Sequence, residues 1–182
     1  MATLLSPSEL SQQLREGSTP DLKRRRLGIA LSLAGAGIAA AVTLYQTGVT
    51  KRLPDILPGD VWDAEKVDAS DYAYSLGQQP DGPSMLVNYG LTAMAIAAGG
   101  TDRAAQNPAL PMVAAGKAAA DFALCSAMAV AEWRENRKLC SWCQVATAVS
   151  AATFVATLPE AARAIPHAIR GQAEGRKPTA IQ

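Results

Sequence analysis

Four stretches of this chain carry little or no charge, and they limit what it can fold into more than any other feature. Residues 27–45, 84–100 and 139–158 contain no Asp, Glu, Lys or Arg, and residues 109–131 contain only Lys117 and Asp121. At about 1.5 Å per residue, the longer runs come close to crossing a hydrocarbon core about 30 Å thick. The run at 84–100 is short for a crossing and needs cover from its neighbours. Gly28, Gly35 and Gly37 are costly in a soluble helix but suit close helix–helix contact in lipid. The expectation is an all-α membrane protein, a four-transmembrane-helix bundle with spans at about 27–45, 84–100, 109–131 and 139–158. A buried, alanine-rich soluble helical protein is the other fold this pattern allows.

The charges lie mostly between and beyond these runs. Residues 1–26 read as a water-facing arm, with helix starts at Ser6-Pro7 and at Ser18-Thr19-Pro20-Asp21, and with Lys23-Arg24-Arg25-Arg26 against the first apolar run. That placement suits a membrane anchor better than a nucleic-acid patch. The whole chain has 17 basic and 16 acidic residues, a formal charge of +1, so its total charge also gives no sign of a nucleic-acid partner. No cleavable signal peptide is expected, because the apolar runs begin only after residue 26. Residues 159–182 read as a polar tail with Arg163, Arg170, Arg176 and Lys177.

Residues 49–83 form a long polar segment between the first two runs. It carries Asp55, Asp60, Asp63, Glu65, Asp68, Asp71 and Asp81 against Lys51, Arg52 and Lys66, so it is acidic. A short helix over residues 70–76 is expected, capped by Ser70 and ended by Gly77. Trp62, Tyr72 and Tyr74 suit a membrane interface, and the segment reads as an ordered lid. The positive-inside bias then puts both basic termini in the cytoplasm of an inner-membrane protein and the lid outside. In the third run, Lys117 and Asp121 are four apart and share a helix face. They read either as an intrahelical ion pair turned into the bundle or as a proton or polar-ligand contact.

At the outer end of the last run stands Arg137-Lys138-Leu139-Cys140-Ser141-Trp142-Cys143. Two cysteines three apart at a helix start share a face and can form a local disulfide. Helix N–H groups, Arg137 and Lys138 would all favour a thiolate at Cys140, the state that takes part in thiol–disulfide exchange. Cys143, one turn deeper, could meet a membrane-dissolved oxidant such as a quinone. A pair of inert, packed cysteines is the alternative. Cys125 reads as a small core residue or a third redox partner. Three cysteines and the single His167 are too few for a disulfide framework, and no four-ligand zinc site is expected. Gln144 after Cys143 excludes the c-type haem attachment pattern.

The order of these features resembles the vitamin K epoxide reductase family. The resemblance covers roughly residues 26–159. It rests on Leu139-Cys140-Ser141-Trp142-Cys143 and on Val67-Asp68-Ala69-Ser70-Asp71-Tyr72-Ala73-Tyr74-Ser75-Leu76-Gly77, with Pro80 and Tyr89 following at family-like spacing. It implies a four-span membrane thiol oxidoreductase whose Cys-x-x-Cys faces a quinone. Cys143 would form the quinone adduct and Cys140 would resolve it by forming the disulfide. Electrons would come from a partner thiol, as in the bacterial relatives that drive periplasmic disulfide formation. Tyr89, Thr147, Lys117 and Asp121 are the candidate quinone contacts, and the Tyr72/Tyr74 lid would cover the site.

Two departures qualify this. Family members usually have two further cysteines in the outer segment; here there are none, and Ala64 stands where the second would align. The family's quinone-contacting tyrosine on the fourth span is replaced by Thr147. Either a separate thiol protein, such as a thioredoxin-like partner, reduces Cys140, or the chain is a redox-inactive scaffold or subunit with the same fold.

Overall fold

The computed structural model describes residues 6–75 and 77–175. Among these residues the chain forms seven α-helices, one short 3-10 turn and no β-strand. Both predicted N-terminal helix starts are present. Helix α1 (Pro7–Glu16) opens with a capping box between Ser6 and Glu9, and α2 (Pro20–Gln46) opens with Thr19 accepting from the Leu22 N–H. Because α2 runs unbroken from Pro20, the basic cluster belongs to the same helix as the first uncharged run. Its arginines are used inside the fold. Arg25 is buried and donates to the carbonyls of Ile96, Ala97, Ala98, Gly99 and Gly100, while Arg26 reaches the carbonyls of Leu14 and Arg15.

The remaining long helices are α4 (Asp81–Ala97), α6 (Ala109–Asn136) and α7 (Ser141–Gly175). They alternate in direction. The start of α2 meets the end of α4 through Arg25, and the end of α2 meets the start of α4, where the Gly82 N–H donates to Gln46 Oε1 at 2.9 Å. Helices α2, α6 and α7 are long and apolar enough to cross a membrane; α4, at 17 residues, is shorter.

Side-chain size is inverted relative to a water-soluble bundle. Gly28, Gly35, Ala39, Ala114, Ala118 and Ala146 are buried, whereas Leu33, Val87, Met94, Val113, Leu124 and Val155 are more than half exposed. Small residues inside let backbones approach, and large apolar residues outside suit lipid. Gly35 is the tightest case, since a Cβ there would come within 2.4 Å of the Tyr89 ring. Gly37, predicted to share this role, faces open space.

Several elements extend beyond their sequence-based limits. Helix α6 continues to Asn136, so Glu132 is helical and the turn that follows begins at Arg137, which has φ +53°. Helix α7 continues through Pro159 and Pro166, so residues 159–175 are helix and not an irregular tail; Arg176 and Lys177 lie outside the described residues. A buried ion pair anchors this extension. Arg103, on the four-residue α5 (Arg103–Gln106) inside what reads as a polar turn, donates to Glu160 at 2.9 and 2.7 Å and to the carbonyls of Ala95, Ile96 and Ala98. Two guanidinium groups, Arg25 and Arg103, therefore satisfy the free carbonyls at the end of α4, where the helix dipole favours positive charge.

The segment between α2 and α4 is ordered and docked. It contains α3 (Ala64–Asp68) and a 3-10 turn at Asp71–Tyr74 in place of the expected helix over 70–76; Leu76 itself lies outside the described residues. Ser70 precedes the turn without capping it, since its hydroxyl donates to the Val67 carbonyl. Gly77 follows with φ +66°. One isolated parallel bridge, Trp62 with Leu139, ties the segment to the residues just before the cysteine pair.

Candidate active site

Cys140 immediately precedes α7, at its N-cap position, and its sulfur accepts the Cys143 N–H at 3.2 Å. This matches the expected helix-start geometry. The expected cations are elsewhere. Lys138 donates to the Asp60 carbonyl and Arg137 is exposed, because the left-handed turn at Arg137 directs both away from the thiols. The charged groups beside Cys140 are carboxylates instead. Glu132 Oε2 accepts the Cys140 N–H at 3.3 Å and the Gln144 amide at 3.3 Å. Asp68, the last residue of α3, lies on the other side.

Asp68 is 1% exposed. The Cys143 thiol donates to its Oδ1 at 3.7 Å, and Oδ2 has no hydrogen-bond partner. The reactive atoms of Asp68, Cys140 and Cys143 all lie within 4.8 Å of one another. Three donors fall short of the four protein ligands of a closed structural zinc site. Burial pushes the Asp68 carboxyl up to about 7; hydrogen bonds from Cys140 and Cys143 oppose this, while Asp81 and Asp55 add to it. Both cysteines are free thiols.

The lid holds this arrangement from above. Asp55 Oδ1 accepts the Ser141 N–H at 3.2 Å and its hydroxyl at 2.6 Å, while Oδ2 accepts the Ala64 N–H at 3.0 Å. Trp142 Nε1 donates to the Pro54 carbonyl at 2.9 Å. Cys140 is fully buried in an apolar cluster with Val42, Leu53, Ala64 and Val67. Ala64 packs in the same cluster as Cys140. The two lid tyrosines sit differently. Tyr74 donates to the Gln46 carbonyl at 3.0 Å. Tyr72 is half-buried, and its phenol is raised by burial and by the charges of Glu132, Asp81 and Glu135.

Beneath the pair, Cys143 and Thr147 line a void of about 10 Å³ together with Met85, Cys125, Met128 and Glu132. Met85, Cys125 and Met128 also line an adjoining crevice of about 170 Å³ between α4 and α6, where Tyr89 and Asn88 form the α4 wall. Of the candidate contacts, Thr147 and Tyr89 therefore stand near Cys143. The Thr147 hydroxyl is already bonded to the Cys143 carbonyl at 2.9 Å, and the Tyr89 hydroxyl to the Ala146 carbonyl and Ser150, each at 2.9 Å.

Lys117 and Asp121 form the ion pair expected from their spacing, at 2.6 Å. They share it with Asn88 and Thr92 of α4 and border the crevice only through Asn88. Cys125 meets Ser150 at 3.7 Å, deeper than Cys143.

Sequence reasoning missed Asp68 and Glu132 as parts of this site. Asp68 was one of seven acids in an acidic lid, and Glu132 was one of several charges before the cysteines. The available signal for Glu132 was its spacing from Lys117 and Asp121 on one helix; nothing local distinguished Asp68.

The model of the vitamin K epoxide reductase family matches residues 26–158. Comparison with curated proteins gives no match, and comparison with solved structures gives none. The matched stretch runs from the basic cluster to the end of the uncharged part of α7 and includes every residue of the cysteine site. This chain belongs to the vitamin K epoxide reductase family.

Proposed function

We propose that this chain is a quinone-linked thiol–disulfide oxidoreductase of the membrane in which Cys140 and Cys143 carry the electrons. The family as a whole is quinone-linked. The observation that carries the proposal is the setting of the pair. Cys140 caps a membrane-length helix, Cys143 forms part of a void adjoining the α4/α6 crevice, and a buried carboxyl touches the Cys143 thiol. The crevice is smaller than the about 300–1,000 Å³ usual for ligand pockets, so it suits a ring whose tail leaves into lipid. Met85 and Met128, unbranched and adaptable, line both spaces and can move aside.

In this proposal α4 is a fourth crossing, at about 26 Å, short of the hydrocarbon core. Its antiparallel course beside α2 and its exposed Val87, Leu91 and Met94 support that count. The acidic lid and the cysteines then face outward from a bacterial inner membrane, and both termini face the cytoplasm. Without further cysteines in the lid, reduction falls to a separate thiol protein, which has to displace part of the lid to reach Cys140.

The test is to reduce the purified protein, add a short-chain ubiquinone, quench in acid, denature and alkylate. Mass spectrometry should find Cys140 and Cys143 joined as a disulfide and Cys125 alkylated. If both Cys140 and Cys143 remain alkylated, the electron-carrying role is lost. The complete burial of Cys140 favours a second reading, a redox-inactive subunit. Co-purification of a stoichiometric membrane partner by the Cys140→Ala, Cys143→Ala protein would support it.

A further inference from the structure

Asp68 is chemically out of place for a structural residue. It is almost fully buried, yet among the described residues its carboxyl meets no cation and accepts from no backbone N–H. One oxygen touches the Cys143 thiol and the other has no partner. Burying such a group is costly when nothing compensates it. The groups around it repeat the pattern: Cys140 and Cys143 from α7, Glu132 from α6, Asp81 from α4, and Asp55 from the lid. From α2 come Tyr45 and the Gln46 amide, the latter on the Asp68 backbone carbonyl at 3.4 Å. A carboxyl held by thiols and like charges is poised to change protonation, not to hold the fold together.

We propose that Asp68 is the proton acceptor and donor for the Cys140/Cys143 dithiol. The proposal deepens the redox reading and rests on it. When the dithiol is oxidised, the Cys143 S–H bond breaks and its proton passes to Asp68 Oδ1. The Cys140 S–H bond also breaks, and the two sulfurs join. The two electrons released reduce a quinone, which takes up the Cys140 proton and one proton from solvent to become the hydroquinone, while Asp68 keeps the proton from Cys143. When a partner dithiol reduces the pair, the S–S bond breaks, Asp68 returns its proton to Cys143, and the partner, becoming a disulfide, gives one proton to Cys140 and one to solvent. A carboxyl titrating near neutrality can do both, since an acid–base group works best when its pKa lies near the operating pH.

The full chain and its Asp68→Asn and Asp68→Glu variants decide the matter in two measurements. The first is the rate of Cys140–Cys143 disulfide formation with a short-chain ubiquinone, from about pH 5 to about pH 9. Asp68→Asn should be slower by about 100-fold near neutrality and should recover steadily as pH rises, while Asp68→Glu should keep the shape of the native profile. An Asp68→Asn profile of native shape and within about threefold of the native rate overturns the proposal.

The second measurement omits quinone and follows methyl methanethiosulfonate labelling of Cys143 against pH. The native protein should show a step near neutrality, and Asp68→Asn should lose or shift it while the steps set by Cys140 and Glu132 remain. The same neutral step in both proteins, or in neither, overturns the proposal. If the native protein ignores quinone but shows the Asp68-dependent step, the redox reading has failed while the thiol–carboxyl coupling stands. Should Asp68→Asn not fold, infrared difference spectra of the native protein decide. A protonated buried carboxyl that appears on oxidation and disappears on reduction supports the proposal, and an unchanged carboxyl region overturns it.

Discussion

Removing the Asp55 side chain should open the lid over Cys140 without unfolding the bundle. Asp55 receives three hydrogen bonds, two from Ser141 that join the lid to the start of α7 and one from Ala64 within the lid. Bonds to a charged acceptor contribute about 1.5–3 kcal/mol each, and they are not additive. Because Asp55 is half-buried and water can replace part of the loss, a net weakening of about 2–3 kcal/mol is expected for Asp55→Ala. At 1.4 kcal/mol per decade, the open state should rise by about 30- to 150-fold.

The assay is maleimide labelling of the reduced, folded protein with site-resolved mass spectrometry. Labelling should be slow relative to reclosing, so that the rate follows the open population. Cys140 should label faster by that factor, while Cys125, half-buried beside Ser150 and away from the lid, should change less than about twofold. Equal acceleration at both sites would mean global loosening and would refute a local latch. An unchanged Cys140 rate would show that the lid does not guard the thiol at all.

Gly35→Ala should destabilise by about 1–3 kcal/mol in thermal unfolding, because the new Cβ meets a Tyr89 ring fixed by its hydroxyl bonds; a neutral result would mean that the α2–α4 contact is loose. Arg103→Ala should cost about 3–5 kcal/mol by stranding buried Glu160 and freeing carbonyls at the end of α4. The paired Arg103→Met, Glu160→Leu protein should recover part of that loss, and no recovery would count against a stranded charge as the cause. Asp68 makes stability depend on pH in a defined direction. Its carboxyl is raised from 3.8 to about 7 in the fold, so its favourable contribution is fully present below about pH 4 and is lost as pH rises toward 7. At about 1.36 kcal/mol per unit the full span is about 4 kcal/mol. Melting curves between about pH 5 and about pH 8 should slope downward in the native protein and less in Asp68→Asn; parallel slopes would remove Asp68 as the source.

Helix existence was legible wherever charge was absent over a long run, because lipid-compatible composition is a property of the segment alone. The ion pair of Lys117 and Asp121 was legible for a related reason, since four-residue spacing fixes neighbours on a helix whatever surrounds it. Arg25 was misjudged because its partners are carbonyls more than seventy residues away, and nothing near it in sequence announces them. The same holds for the thiol environment. Arg137 and Lys138 adjoin Cys140 in sequence, but one left-handed residue turns them aside and brings Glu132 and Asp68 to the thiols. Helix-end geometry around Cys140 could be inferred locally; the sign of the charge facing it depended on how the lid folds back.

The two arginines at the end of α4 also bear on the lipid around the protein. They fix where the shortest of the four long helices stops, and that helix spans about 26 Å against a hydrocarbon core of about 30 Å. If α4 crosses, the bilayer beside it has to thin by about 4 Å or recruit shorter acyl chains. The α4/α6 crevice opens on that same flank. Reconstitution in short-chain lipids should therefore raise the melting temperature relative to long-chain lipids, and equal values would argue against a mismatch. Helix length, set by two buried cations, would then select the lipids through which an oxidant approaches Cys143.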